Sequence, residues 1–247
     1  MTCRYCEAGT DLVEAHVIPA GFFRRLRDPN AIPKLLSNRE GERPRRAPNG
    51  VYDRHILGSC CEPTFGPWDQ HAQEVLLDDA SNATVLRVEN QIVGYEISRW
   101  DYRLLKLFFI SLAWRASVST HPMYSRISLG PYEARARDLL QRADPGASED
   151  FAVFLAKFDH AFGGAILDPH RERNERVNYL RFYLGTYIAY IKVDRQKTPH
   201  PYASFVVGAE PILKVVGRDI TKSPELHVMR DIVLKSLAAK TSSSRTG

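Results

Sequence analysis

The sequence predicts an α+β fold in which a small cysteine-containing module, residues 1–80, precedes a larger mixed α+β domain, residues 81–240. Three observations support this prediction. The four cysteines fall in two close pairs, both in the first module. Turn residues are frequent in that module, whereas long apolar patterns with helical and strand periods follow residue 80. The content of 44% hydrophobic and 26% charged residues among 247 is that of a chain that buries a core.

Short elements are expected in the first module. An apolar run that ends at Pro19 predicts a short strand, and residues 21–27 have the composition of one or two helical turns. Four prolines between residues 28 and 50 predict a loop. Residues 51–57 suit a second short strand, and the apolar pattern of residues 61–77 predicts a helix with a proline near its start.

The larger domain is expected to open with a hairpin and two helices. Residues 83–98 alternate around a turn at Asn90, which predicts a β-hairpin. Residues 100–119 have the apolar spacing of a strong amphipathic helix. A second helix fits residues 132–142, directly before an Asp-Pro-Gly turn.

The remainder of the domain is expected to be rich in strands. Three β-rich stretches follow, over residues 151–158, 179–193 and 204–216. A last helix is expected over residues 225–239. The Ser/Thr/Arg-rich residues 241–247 are expected to form a disordered tail.

Positive charge is concentrated in one part of the chain. Between Arg24 and Arg54 there are nine Lys or Arg residues against four Asp or Glu, so this stretch alone accounts for the formal net charge of +5. Such a local excess suits a polyanionic partner, whereas the alternative is an ordinary solvated basic loop. Five arginines are the best candidates for phosphate contacts: Arg24, Arg25, Arg27, Arg45 and Arg46.

The cysteine spacing predicts a zinc site. Cys3 and Cys6 have the spacing of a zinc knuckle, in which two thiolates reach one ion from a tight turn. Cys60 and Cys61 form a second cluster just before the predicted helix of residues 61–77. Two knuckles on either side of a hairpin-like segment are typical of a treble-clef zinc site, although unrelated buried or free thiols remain the alternative.

The apolar runs, the first residues and the cysteine content together predict where the protein is located. The most apolar run, residues 104–118, contains Lys106 and Arg115 and is too short to span a membrane. The first residues lack the pattern of a secretory signal. We therefore expect a cytoplasmic protein without membrane association, whose thiols are free or bound to metal rather than paired in disulfides.

Three pieces of the first module fit one known pattern: Cys3-x-x-Cys6, the run AHVIPAGFFRRL that begins at Ala15, and the run YDRHILGSCCEPTFGPWDQHA that begins at Tyr52. Residues 1–77 thereby resemble the HNH-like nucleases of bacteria. The resemblance implies a ββα-metal fold in which two strands and a helix hold one catalytic cation, with a separate structural zinc. The implied cofactors are Zn²⁺ and, for catalysis, Mg²⁺ or Mn²⁺.

The resemblance also implies roles for individual residues. His16 is the expected general base, because a neutral imidazole with a pKa of about 6.5 takes a proton from water at neutral pH. Asp53 takes the place of the family's middle Asn and is expected to orient that imidazole. Glu62, Asp69 and His71 are the candidate ligands of the catalytic cation, and Glu62 is also counted among the catalytic residues.

Each of these residues has a structural alternative. His16 can pack beside Val17 with a backbone hydrogen bond, and Glu62 can be an acid at the start of a helix, where the helix dipole favours it. Asp69 and His71 can simply face solvent.

Three departures from the family pattern bear on activity. Ala15 stands where many HNH enzymes carry an acidic metal ligand. Gly58 stands at the first cysteine of the second knuckle, so the zinc ligands are completed by Cys60, by His55 or water, or no zinc binds. Asp53 in place of Asn adds negative charge that would raise the pKa of His16.

The resemblance therefore implies a metal-dependent endonuclease, with DNA favoured as substrate, of the kind found near mobile elements or in phage defence. One rival is a catalytically degenerate zinc module that binds nucleic acid or protein without cutting. A second rival is a plain α+β structural protein with incidental cysteines. The larger domain would bind the substrate, sense a signal, or contact a partner protein or a second copy of the chain.

Overall fold

The structure is a computed structural model, and it describes the following residues: 1–24, 26, 32–39, 42–78, 82–160 and 165–243. Twelve strands lie within them: β1 Ala15–His16, β2 Lys34–Leu36, β3 Arg45–Arg46, β4 Tyr52–Asp53, β5 Ala83–Val88, β6 Gln91–Ile97, β7 Val153–Phe158, β8 Ala165–Leu167, β9 His170–Asn174, β10 Val177–Leu184, β11 Tyr187–Lys192 and β12 Leu213–Arg218. The α-helices of the same residues are α1 Ala20–Arg24, α2 Gly66–Gln73, α3 Tyr102–Val118, α4 Glu133–Gln141, α5 His200–Ala203 and α6 Pro224–Ser243.

A seven-stranded sheet forms the larger part of the molecule. Its strand order is β5-β6-β12-β7-β11-β10-β9. Neighbouring strands are antiparallel except β12 and β7, which run parallel. The strands of the middle of the sheet are buried along almost their whole length, whereas the edge strand β5 is mostly exposed. The sheet thus has two edge strands, β5 and β9, and the hairpin that the sequence predicts forms the more exposed edge.

α3 lies at the centre of the core. Every residue from 105 to 116 is buried, so the helix is covered on all sides rather than along one stripe. It begins at Asp101, whose carboxylate accepts a hydrogen bond of 2.8 Å from the Leu104 N–H, as an N-cap residue does. It packs against α2, α4 and β11. The polar members of α3 must therefore find partners inside the protein, which decides much of the site described below.

Two small sheets connect the N-terminal residues to the rest. β1 pairs with β4 in an antiparallel register that sets Ala15 opposite Asp53. β2 pairs with β3 and also, in parallel, with β8 of the larger domain. One continuous hydrophobic core contains buried residues from Cys3 to Ile232. The segments on the two sides of residue 80 therefore share their core and a β-sheet.

Most predicted elements are found. The hairpin of residues 83–98 is β5–β6, and the two helices that follow it are α3 and α4. The helix expected over residues 61–77 begins with a 3₁₀ turn, Glu62–Phe65, continues as α2 and ends in a π turn, Glu74–Asp78. The α+β class is confirmed.

Three predictions about local structure need correction. The loop of residues 28–50 contains the short strands β2 and β3. Only the end of the stretch 204–216 is a strand, since β12 begins at Leu213. The tail was expected to be disordered from residue 241, but α6 continues to Ser243; residues 244–247 lie outside the described part. Among the residues that the structure describes, no helix combines the length and apolar composition that a bilayer crossing requires.

Candidate functional site: a cysteine cluster and two histidines

Three of the four cysteines come together. The sulfur atoms of Cys3, Cys6 and Cys61 all lie within 4.8 Å of one another. Zn–S bonds of about 2.3 Å in a tetrahedral site place the sulfur atoms roughly 3.8 Å apart, so a small inward movement suffices to hold one ion. In the described ranges this is the one group of three or more His, Cys, Asp or Glu side chains close enough to share a metal. The donor set is that of a thiolate metal site.

The backbone around Cys3 explains why these sulfur atoms meet. The Glu7 N–H donates to the Cys3 carbonyl at 2.9 Å, and Glu7 itself adopts a left-handed conformation with φ of 62°. This closes the turn that brings Cys6 beside Cys3. From the other knuckle, the Gly58 N–H donates to the Cys3 sulfur at 3.2 Å. Such N–H···S bonds favour a thiolate, as metal binding requires.

The two buried thiols have opposite pKa shifts. Burial opposes ionisation of Cys3, but the N–H groups of Cys6, Gly58 and Tyr5 outweigh it and lower the pKa of that thiol. Burial and the neighbouring sulfur atoms raise the pKa of Cys61 above the ordinary range. A cation that bound this cluster would therefore have to displace the proton of Cys61.

The fourth predicted ligand stands apart. Cys60 is exposed, and its sulfur lies 3.6 Å from that of Cys61 but outside the group formed by the other three. Gly58 occupies the position at which a four-cysteine site would have its remaining ligand. A β-carbon there would lie only 2.3 Å from the Thr10 Cγ2 atom. The packing of Thr10 thus matches the glycine, and the cluster consists of three cysteine sulfur atoms, one fewer than a tetrahedral zinc site requires.

His16 lies on β1, half-buried, next to the edge of Tyr52. Its Nε2 atom lies 3.1 Å from the Asn49 carbonyl oxygen. Because a carbonyl only accepts hydrogen bonds, Nε2 carries the hydrogen and the neutral ring has its free lone pair on Nδ1. A buried guanidinium, Arg115 of α3, also donates to the backbone carbonyl of His16 at 2.8 Å. His16 is therefore held from two sides, with Nδ1 as the basic atom.

Asp53 does not orient His16, contrary to the prediction. In the β1–β4 register Asp53 lies opposite Ala15, so its side chain is on the other face of the ribbon from His16. One carboxylate oxygen accepts hydrogen bonds from Ser119 and Thr120 at 2.6–3.0 Å. Burial opposes ionisation, but these donors outweigh it and lower the pKa of Asp53. Asp53 ties the ribbon to the end of α3.

The carboxylate of Asp53 contacts the imidazole of His55 instead. The Nδ1 atom of His55 lies 3.2 Å from the Asp53 Oδ1 atom, and the His55 N–H donates to the same oxygen at 2.8 Å. With its hydrogen on Nδ1, the exposed ring of His55 has its lone pair on Nε2. His55 lines a cleft of about 680 Å³ together with Cys3, Arg4 and Arg137. From the sequence His55 is expected only as a possible zinc ligand, although an aspartate two residues ahead is the signal of an Asx-turn.

The expected ligands of a catalytic cation are not gathered in the described residues. The Asp69 carboxylate accepts two hydrogen bonds from the buried Arg115 guanidinium, at 2.9 and 2.6 Å. His71 Nε2 accepts a hydrogen bond of 2.9 Å from the Asp101 N–H at the start of α3. Glu62 is exposed and lies in the 3₁₀ turn before α2. These three candidate ligands therefore do not fit a Mg²⁺ or Mn²⁺ site built by the protein alone.

The predicted phosphate-binding arginines are placed in part. Arg45 and Arg46 are exposed and form β3, where Arg46 pairs with Lys34 of β2. Arg45 donates to Glu42 at 2.9 Å. Arg24 is exposed at the end of α1, whereas Arg25 and Arg27 lie outside the described residues. Asn49, whose carbonyl oxygen contacts His16, follows β3 by three residues, so the basic strand leads to the loop that holds this imidazole.

No protein-family profile, curated protein or solved structure matches this chain.

Proposed function

We propose that this protein binds nucleic acid across the basic surface of β2 and β3, and that the surface is held by a zinc-stapled ββα module of the treble-clef type. The observation that supports the proposal best is the pair Arg45 and Arg46, exposed on a strand that leads to Asn49, whose carbonyl oxygen accepts a hydrogen bond from His16. Guanidinium groups are suited to phosphate oxygens, and their binding is independent of base sequence. DNA is the favoured polymer.

Zinc is the proposed structural cofactor. Three thiolates at Cys3, Cys6 and Cys61 suit Zn²⁺ or another soft cation better than Mg²⁺. Bound there, the ion would join two parts of the chain more than fifty residues apart and fix the turn that precedes α2. Because β1 and β4 lie between the two knuckles in sequence, the ion would also set the position of His16 relative to β3.

Phosphodiester hydrolysis is a second candidate, and one observation favours it. In His16 and in His55 one ring nitrogen donates its hydrogen to an oxygen acceptor. The other ring nitrogen then has a lone pair with which it can act as a base. In such a step the imidazole takes a proton from water while the water oxygen bonds to phosphorus. The bond from phosphorus to the leaving sugar oxygen breaks, and that oxygen takes a proton from solvent.

Binding is tested with the full chain and fluorescent oligonucleotides, both single- and double-stranded, over a range of salt concentrations. The variant Arg45→Ala/Arg46→Ala is compared with Arg230→Ala/Lys235→Ala, which removes two exposed charges of α6. If both arginines contact phosphates of duplex DNA, the slope of log K against log salt becomes less steep by about 1.8 in the first variant only. Equal slopes for wild type and both variants would refute the proposed surface.

Cleavage is tested by nicking of supercoiled plasmid and of labelled RNA with Mg²⁺, Mn²⁺ or Zn²⁺. His16→Ala and His55→Ala are compared with His227→Ala, an exposed histidine of α6. Loss of nicking in one of the first two, with activity kept in the control, identifies the base. Absence of cutting by the wild-type chain with every ion would eliminate the second candidate and leave the binding proposal standing.

A further inference from the structure

A second polar site lies far from the cysteines in sequence. A partly open cavity of about 150 Å³ lies between the end of β2, the segment from β8 to β9, β10 and the start of α6. Leu36 and Leu167 form part of its wall, and the Asp168 N–H donates to the Leu36 carbonyl at 3.1 Å. The cavity therefore lies at one end of the three-stranded sheet that also contains the basic strand β3.

Asp168 contributes a buried acceptor to this cavity. Its side chain belongs to a residue only 8% exposed, and its Oδ2 atom receives no hydrogen bond. Arg39 Nε lies 3.3 Å from that oxygen, but it donates its hydrogen to the Ser37 hydroxyl at 3.0 Å. Arg39 and the Ser37 hydroxyl thus offset part of the cost of burying this carboxylate, while its Oδ2 atom can still accept a hydrogen bond from water or a ligand.

Arg181 contributes a buried hydrogen-bond donor to the cavity. The residue is 9% exposed; its Nη1 donates to Glu172 at 2.9 Å, and its Nη2 contacts Glu225. The Nε–H of Arg181 has no acceptor within the described parts of the chain. A buried donor and a buried acceptor thus line one small cavity without satisfying each other.

His170 adds a second acceptor. Its Nδ1 lies 3.4 Å from the Asp168 carbonyl oxygen, which only accepts, so the ring hydrogen is on Nδ1 and the lone pair is on Nε2. Burial lowers the pKa of His170, which keeps the ring neutral at physiological pH. Asn38, Tyr183 and Glu225 also line the cavity, but Asn38 accepts from Arg126, and Glu225 is paired with Arg181 and Arg218. The acceptors at Asp168 and His170 and the donor at Arg181 are therefore the groups with which a ligand would pair, between the apolar side chains of Leu36, Leu167 and Val228.

We propose that this cavity binds a guanine base, an inference that rests on the proposed function. The Watson–Crick edge of guanine carries two donors, N1–H and N2–H, and one acceptor, O6. The corresponding edges of adenine, cytosine and uracil each carry a single donor position. The volume equals that of about five waters at roughly 30 Å³ each, which suits a ring system but leaves sugar and phosphate outside.

The position of the cavity connects this base site to the phosphate surface. Leu36 and Asn38 line the cavity, while Lys34, two residues before Leu36, pairs with Arg46 of the basic strand. A strand of nucleic acid lying on β3 would therefore have an unpaired base within reach of Asp168. The guanine could also come from a free nucleotide, and the experiment separates these two sources.

The test uses isothermal titration of the full chain with guanosine, inosine, adenosine and cytidine, and then with single-stranded oligonucleotides with and without guanine. Guanosine is expected to bind at least tenfold more tightly than adenosine or cytidine, with inosine in between because it lacks the N2 amine. Asp168→Asn replaces an acceptor with a donor and is expected to lose at least tenfold in guanosine affinity; Asp138→Asn, an exposed aspartate of α4, is the control.

A second variant protects the test against misfolding. Val228→Phe fills the cavity from α6 without changing any polar group, and it is also expected to abolish guanosine binding. Preference for guanine-containing oligonucleotides places the base in a polymer, whereas binding of guanosine monophosphate alone indicates a free nucleotide. No binding of guanosine, or equal affinity in wild type and both cavity variants, overturns the inference. Oligonucleotide binding that depends on Arg45 and Arg46 without guanine preference overturns the base site only.

Discussion

Replacing Asp69 with alanine is expected to destabilise the protein, because it leaves Arg115 buried without its partner. Arg115 is only 2% exposed, and Asp69 accepts both of the charged hydrogen bonds that its Nη atoms make to a carboxylate, at 2.9 and 2.6 Å. Breaking a buried ion pair by removing one partner costs about 3–5 kcal/mol. Asp69 is partly accessible, and Arg115 keeps the His16 carbonyl and Ser111, so we expect a value of about 3 kcal/mol.

The assay is unfolding by urea and by heat, with zinc held constant. For a chain of this size, a loss of about 3 kcal/mol lowers the Tm by roughly 6–12 °C. The control is Asp138→Ala, which removes the exposed partner of Arg135 and Arg142 and is expected to cost less than about 1 kcal/mol. If Asp69→Ala unfolds like the wild type but loses affinity for Mn²⁺, Asp69 is a metal ligand after all, and the reasoning from Arg115 is refuted.

Three further predictions follow from buried groups. Purified protein is expected to contain about one zinc per chain; Cys61→Ser loses the metal and much stability, whereas Cys60→Ser keeps both, and equal zinc content in the two variants would contradict the three-thiolate site. Lys106 is fully buried, and burial lowers its pKa to about 7, so its protonation opposes folding increasingly as the pH falls from its ordinary value of 10.5 towards 7. Lys106→Met is therefore expected to be more stable than wild type at pH 7 by on the order of 3 kcal/mol, with the difference shrinking towards pH 10; a difference independent of pH in urea unfolding speaks against this. For Asp53 the charged form is the one that stabilises the fold: its lowered pKa means a contribution that is present above the ordinary value of 3.8 and is lost as the pH falls through the folded-state value. Asp53→Asn is expected to destabilise the protein at neutral pH and to approach wild-type stability in acid, as measured by denaturation at pH 3 and pH 7.

The long elements of this fold are predictable from sequence because their patterns are local. α3 and the β5–β6 hairpin have unbroken apolar periods over more than ten residues, and both occur where the pattern places them. β2 and β3, with three and two residues, are too short to show any period. They exist because β8, about 130 residues later, provides a hydrogen-bonding edge. Such strands depend on tertiary pairing, which sequence patterns do not contain.

In the candidate site, too, the features set by local spacing are predictable from sequence and those set by tertiary structure are not. Spacing alone predicts that Cys3 and Cys6 face one ion, because a three-residue turn fixes their separation. The role of Asp53 depends on strand register, where a step of one residue moves a side chain to the opposite face. The sequence identified Asp53 as a carboxylate that orients an imidazole, and the structure gives it His55 instead of His16. His55, two residues after Asp53, was the nearer candidate for this hydrogen bond in the sequence.

α3 also decides what the acidic residues of the N-terminal part are able to do. Arg115 takes up the Asp69 carboxylate, and Ser119 and Thr120 take up that of Asp53, so neither is available to a cation. The exposed Lys34 and Arg46, together with Arg45 beside Glu42, supply the positive charge of the neighbouring surface. The contacts of Asp53 and Asp69 therefore weaken the case for a protein-built catalytic metal site, whereas the proposal of a polyanion on β3 rests on the charge of β2 and β3 themselves.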